Sequence, residues 1–222
     1  MFNLVLATRN AHKVDEIRAL VGDGFNISTL DDFSGVPVIA ETGASFTANA
    51  TLKAIGLSQW FGCLSKPEFP RPVNSICYLV ADDSGLEVDA LNGAPGIYSA
   101  RYASDSEGNA SDIDNNTKLL SKMLGVPLEK RTARFVCAIA VAKMVDREDT
   151  PEAHLFEGTC EGRITEGPRG EKGFGYDPLF VPEGHQRTFG ELGSGIKNGI
   201  SHRARALEKF MHWLRAAGLQ PL

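Results

Sequence analysis

Two helix starts in this chain carry positive charge where stability alone would favour negative charge. Thr8-Arg9-Asn10-Ala11-His12-Lys13 follows a short apolar run, Phe2–Ala7, and leads into an amphipathic stretch from Lys13 to Val21. Asn10 is a natural N-cap, which puts Ala11, His12 and Lys13 in the first helical turn. The helix dipole favours anions at that end, so Arg9, His12 and Lys13 make sense if an external anion sits there and meets backbone N–H groups. A solvated basic turn is the alternative. The pattern recurs late in the chain, where Ser201 reads as an N-cap followed by His202, Arg203 and Arg205, with Lys197 upstream in a glycine-bearing loop. Two such helix starts together suggest one extended polyanion, such as a triphosphate.

Carboxylates and an aromatic loop complete the chemically suggestive set. Ala81-Asp82-Asp83-Ser84-Gly85 places two acids at the end of the most apolar run in the chain, Ile76–Ala81. In open α/β sheets the carboxyl ends of strands line the ligand crevice, and alternation would send only one of two adjacent side chains there. A carboxylate so placed could bind Mg²⁺, orient water, or do both. Asp-Ser-Gly is also ordinary turn chemistry. Glu41 could be a second metal carboxylate or merely a helix-entry residue. Gly173-Phe174-Gly175-Tyr176-Asp177-Pro178 lets backbone approach a ligand while Phe174 stacks on a base; a hairpin turn with a core aromatic is the simpler reading.

These residues need elements to hold them. Phe2–Ala7 and Phe25–Thr29 read as strands flanking the Lys13–Val21 helix, with Val14, Ile17, Leu20 and Val21 on one face. Ala44 to Trp60 reads as a long helix. Ile76–Ala81 is apolar at nearly every position, as in a central strand covered on both faces. Leu86–Leu91, a turn at Asn92–Gly96, a helix over Ile113–Leu124, strands over Arg131–Lys143 and His154–Ile164, and a final helix over His202–Ala217 follow. Pro67, Pro70 and Pro72 mark a surface insertion. The pattern predicts an α/β protein with a mixed sheet in two lobes.

Composition removes several function classes. The 222 residues suffice for a core without staples. Lys+Arg number 23 against 28 Asp+Glu, a net charge of −5, so the overall field does not attract nucleic acid. The four cysteines form no Cys-x-x-Cys pair, and with the five histidines they complete no zinc spacing. No apolar run is long enough to span a bilayer, and Met1–Ala7 lacks the pattern of a signal peptide; a soluble cytoplasmic protein is expected. No Gly-x-x-x-x-Gly-Lys-Ser/Thr loop occurs, which excludes P-loop chemistry.

Taken in order, the motifs resemble the inosine triphosphate pyrophosphatases, which clear ITP, XTP and their deoxy forms. The resemblance rests on Leu6 to Lys13, Glu41-Thr42-Gly43, Asn49 to Ala54, Ala81 to Leu86, Gly93 to Tyr102, Gly173 to Pro178 and Ile200 to Arg203. It implies one domain over residues 1–222, elongated and two-lobed, with the active site in the cleft between lobes. It also implies a homodimer and Mg²⁺-dependent hydrolysis of a non-standard purine NTP to NMP and pyrophosphate, cleansing the nucleotide pool. By the same resemblance Asp83 is the catalytic carboxylate, with Glu41 beside it at the metal. Thr8, Arg9, Asn10, Ala11, His12, Lys13, Lys53, Ser84 and Lys197 would hold phosphates. Phe174, Gly175, Tyr176 and Asp177, with His202 and Arg203, would hold the base and neighbouring groups. Arg9 stands where a small residue is usual, Gly195-Ile196 replaces a commonly acidic pair, and the 61–75 region is longer than in compact members. A non-catalytic nucleotide sensor or a pyrophosphatase for modified pyrimidine nucleotides are the rival readings.

Overall fold

A computed structural model describes residues 2–63, 77–104, 108–144 and 150–218. The expected insertion at 61–75 falls almost wholly outside them. Strand β1 (Phe2–Leu6) leads to helix α1 (Ala11–Val21), strand β2 (Phe25–Thr29) and helix α2 (Phe46–Gly62). The long strand β3 (Cys77–Val88), helix α3 (Asp112–Lys122) and the strands β4 (Thr132–Lys143) and β5 (Ala153–Ile164) follow. The chain ends with β6 (Phe180–Pro182), the short helices α4 (Phe189–Leu192) and α5 (Ser194–Ile200), and α6 (His202–Ala216). The strands form one six-stranded sheet in the order β2-β1-β3-β4-β5-β6. It is mixed, as expected: β1 runs parallel to β2 and β3, while β6 is antiparallel to β5.

Contacts divide the chain into two compact units. The first comprises 1–83, 138–157 and 206–222. Its β1–α1–β2 segment obeys the apolar periodicity: Val14, Ile17 and Val21 of α1 are buried, as are Leu4, Val5 and Leu6 of β1. Helix α2 adds Ala50, Ala54, Leu57 and Phe61. Trp213 of α6 packs edge-on against Tyr78 of β3, and its ring also meets His154 and Phe156 of β5.

The second unit comprises 84–137 and 158–205. Leu86, Val88, Leu119, Met123, Phe135, Tyr176, Phe180 and Phe189 form its core. Arg131 is buried there and donates to the carbonyls of Met123, Val126, Ile164 and Thr165. Those bonds satisfy a guanidinium that would otherwise be costly to bury. β6 covers the edge of β5 only over Gly162–Ile164, and Arg205 binds the Thr159 carbonyl farther along that strand.

Three expectations need correction. Asp82 and Asp83 do not end their strand, because β3 continues to Val88. Leu86 and Val88 are fully buried on either side of half-buried Glu87, and this alternation carries the strand through the Asp-Ser-Gly sequence. Lys197 lies in helix α5 rather than a loop; Gly195 and Gly199 hid that helix through their low propensity. Helix α2 starts at Phe46, where Ser45 caps the Ala48 N–H, not at Ala44. Among the described residues no helix is long and apolar enough to cross a membrane.

Candidate active site

In the first unit the site is built around two lysines and the acids of β3. Asn10 caps α1 as expected, its Oδ1 accepting from the Lys13 N–H at 3.2 Å, and no acid lies in the first turn. Thr8 Oγ1 accepts from the Asn10 N–H at 3.1 Å and so fixes the turn that enters the helix. From this turn Lys13 reaches β3, where its Nζ lies 2.5 Å from Asp82 Oδ1. Ala11 and His12 stay at the exposed helix start. Arg9, by contrast, turns to the Val36 carbonyl at 3.4 Å and to Asp31 at 3.5 Å.

Lys53, from the middle of α2, projects its ammonium among the acids. Its Nζ donates to Glu41 Oε1 at 3.1 Å and to the Asp82 carbonyl at 2.9 Å, and lies 3.5 Å from Asp83 Oδ1. Thus Glu41, Asp83 and a β3 carbonyl converge on one cation. Burial lowers the proton affinity of Lys53, but Asp83 and Glu41 more than reverse this and hold its pKa above the ordinary lysine value. Asp83 shifts the other way: burial pushes its carboxyl above the usual carboxylate range, and Lys53 and Lys13 only partly oppose the rise. For Asp83 desolvation outweighs the attraction of the lysines, as expected for a side chain 11% exposed. Its Oδ2 is buried and has no hydrogen-bond partner among the described residues.

This donor set suits a hard divalent cation. Mg²⁺ takes oxygen ligands and is commonly held by one or two carboxylates together with substrate phosphates. Glu41 and Asp83 already share a cation, and the unpartnered Asp83 Oδ2 is the sort of atom a metal would satisfy. Among the described residues no three His, Cys, Asp or Glu side chains form a complete protein cage, so substrate or water oxygens would have to complete the shell.

The second unit holds the aromatic cluster. Gly173 and Gly175 both take positive φ, +78° and +62°. A side chain at Gly173 would collide with Asp177 Oδ2 as well as strain the backbone. That oxygen accepts from the Phe174 N–H at 2.9 Å and lies 2.6 Å from Lys197 Nζ. The ammonium is also 4.5 Å from the centre of the Phe174 ring and 5.7 Å from that of Phe189, within cation–π range. Tyr176 is buried and donates its hydroxyl to the Ser99 carbonyl at 2.9 Å. Its phenol is pushed upward, chiefly by burial, so it stays a donor.

Helix α6 enters the same unit. Ser201 is its cap, with Oγ accepting from the Ala204 N–H at 3.2 Å. His202 stacks on Phe135 at 4.8 Å and 12°. Arg203 donates to Ser84 Oγ at 3.0 Å, and its guanidinium lies 6.0 Å from the Phe174 ring centre. Ser84 and Lys197, expected among phosphate contacts, lie beside Arg203 and the Phe174 ring in the second unit. Arg205 turns to a strand carbonyl. Asp82 as the holder of Lys13 was missed; nothing in the local sequence marks which of two adjacent acids will meet a helix from 69 residues away.

The chain is similar to known proteins over most of its length. The Ham1 family model matches residues 4–213. A dITP/XTP pyrophosphatase of Geobacillus kaustophilus is 47% identical over 210 residues, 94% of this chain and 92% of its own. That of Shouchella clausii is 45% identical over 207 residues, 93% of each chain. Among solved structures, a HAM1 protein from Coxiella burnetii aligns with TM-score 0.78 at 37% identity, covering 97% of this chain and all of that one. The Staphylococcus aureus Ham1 protein gives 0.77 at 33%, covering 97% and 99%. The chain belongs to the Ham1 family.

Proposed function

We propose that this chain hydrolyses non-standard purine nucleoside triphosphates, ITP, dITP and XTP, to the monophosphate and pyrophosphate, with Mg²⁺ as cofactor. The observation that carries the reading is the convergence of Glu41, Asp83 and Lys53, with one Asp83 oxygen left for a further partner. The names of the relatives, dITP/XTP pyrophosphatase, support the substrate class.

Glu41 and Asp83 would hold the metal. When bound, Mg²⁺ supplies neutralisation of triphosphate charge and polarises its oxygens. Lys13 and Lys53 bring two further positive charges, and the N-terminus of α1 adds its dipole. Thr8, Asn10, Ala11 and His12 shape that helix end, and Arg9, now on Asp31, can turn to a phosphate at the small cost of an exposed ion pair. Asp83 orients water towards the α-phosphorus and accepts its proton. As the water oxygen bonds to phosphorus, the bond to the α–β bridging oxygen breaks and pyrophosphate leaves.

Phe174 offers its ring to the purine, and Asp177 and Lys197 hold that ring in place. Donors from His202 and Arg203 face the 6-oxo group of hypoxanthine or xanthine, where adenine would present a donor of its own. Conversion to the monophosphate keeps such bases out of DNA and RNA, a cytoplasmic house-cleaning role, and the homodimer implied by the resemblance is part of the same proposal. The test is product analysis. ITP should yield IMP and pyrophosphate in equal amounts, with activity abolished by chelator and restored by Mg²⁺. IDP and phosphate as products would overturn the reading.

A further inference from the structure

The peptide that follows Phe174 is gripped on both sides by one helix. The Gly175 N–H donates to Asp112 Oδ2 at 2.6 Å, and the Gly175 carbonyl accepts from Asn116 Nδ2 at 3.0 Å. Asp112 and Asn116 are four residues apart on α3, so they share one face a single turn apart. Asp112 opens the helix beside its cap, Ser111, where a carboxylate also suits the helix dipole. The gripped glycine takes φ +62°, and no atom would meet a side chain there. Open space at that position leaves the two hydrogen bonds from α3 as direct contacts that hold the peptide. Asn116 keeps its grip while its own Oδ1 stays buried without a hydrogen-bond partner among the described residues, an expense that stability alone does not explain.

We infer that Asp112 and Asn116 are positioning residues for purine binding, acting through the Gly175 peptide to set the orientation of Phe174. The inference rests on the reading of the Gly173–Asp177 loop as the base-binding loop. The neighbouring bonds act on the same segment: Asp177 holds the Phe174 N–H and Tyr176 is tied to Ser99. Gly175 is the remaining link, and α3 supplies it. Free rotation of this peptide would swing the ring out of register with a bound base.

The experiment compares Asp112→Ala, Asn116→Ala and Asp112→Asn with wild type. It measures kcat and KM for ITP and ATP, melting temperature, and amide hydrogen exchange of the 173–177 peptide in nucleotide-free protein. Asp112→Ala is expected to raise KM for ITP about tenfold, the scale of one hydrogen bond to a charged group, and Asn116→Ala about fivefold, the scale of a neutral one, each with kcat changed less than about threefold. Exchange in the 173–177 peptide should quicken. Asp112→Asn keeps an acceptor oxygen and should recover most of the loss. An ITP KM within about twofold of wild type, or losses that follow the melting temperature with unchanged exchange in this peptide, overturns the inference. Wild-type protein that does not hydrolyse ITP overturns the proposed function instead, and the exchange measurement then decides the grip by itself.

Discussion

Asp82 and Asp83, adjacent on β3, hold two different lysines: Lys13 from α1 meets the first and Lys53 from α2 the second. Strand alternation explains the division, since neighbouring side chains leave a strand on opposite faces. The division separates their roles. Asp82 meets a lysine at 2.5 Å and is 1% exposed, whereas Asp83 keeps one oxygen without a hydrogen-bond partner among the described residues.

Asp83→Asn should preserve shape and remove the base. The expected loss in kcat for ITP is about 10²-fold or more, the usual scale for a positioned general base. Pyrophosphate release is the measurement. Near-normal turnover would remove Asp83 from the chemical step.

Asp82 should act chiefly through Lys13, which it meets at 2.5 Å. Lys13→Ala is expected to raise KM for ITP and ATP by similar factors, because an ammonium on a phosphate does not see the base. Asp82→Ala should move both in the same direction by less, and the double variant should match Lys13→Ala alone. A double-mutant cycle reads this directly, and additive losses would give Asp82 a separate job.

The buried pair of Lys197 and Asp177 should govern both stability and base preference. Asp177→Ala leaves an ammonium without its carboxylate in a site where Lys197 is 5% exposed, a change that costs about 3–5 kcal/mol in comparable buried pairs. For a chain of this size that corresponds to a drop in Tm of about 10 °C. Lys197→Ala should change the ITP-to-ATP ratio, in contrast to Lys13→Ala. Thermal denaturation followed by circular dichroism tests the first statement and paired kinetics the second. A Tm within about 2 °C of wild type in Asp177→Ala would show the pair to be incidental.

Thiol labelling checks the packing independently of activity. Cys63 is exposed, while Cys77, Cys137 and Cys160 are buried, and burial pushes the Cys160 thiol up to about 11. At pH 8 one thiol should react quickly in the native protein and four after denaturation. Rapid reaction of a second native thiol would contradict the burial of these strands.

Much of the site was legible in the sequence because helix caps are local. Asn10 and Ser201 announce their helices by side-chain chemistry that needs no tertiary context, and both cap as expected. What the sequence hid depended on distant partners. Asp-Asp-Ser-Gly looked like a turn, yet burial of Leu86 and Val88 carries β3 beyond it. β6, with three residues, is too short to show a period. The grouping of Lys197 and Ser84 with Phe174 and Arg203 follows from how α5 and α6 dock within the second unit, and spacing along the chain carries no trace of it.

The most direct test of substrate choice is kcat/KM for wild-type protein with ITP, dITP, XTP, GTP and ATP under one Mg²⁺ concentration. A pocket whose buried donors meet a 6-oxo group can discriminate against a 6-amino group by about 10⁴–10⁵. Guanine shares the 6-oxo group, so its exclusion must come from crowding or missing acceptors around the 2-amino group. ITP, dITP and XTP should stand well above GTP and ATP, with ribose and deoxyribose forms alike. Hydrolysis of ATP as fast as ITP would contradict the assignment of His202 and Arg203 to base selection, and the proposed substrate class with it.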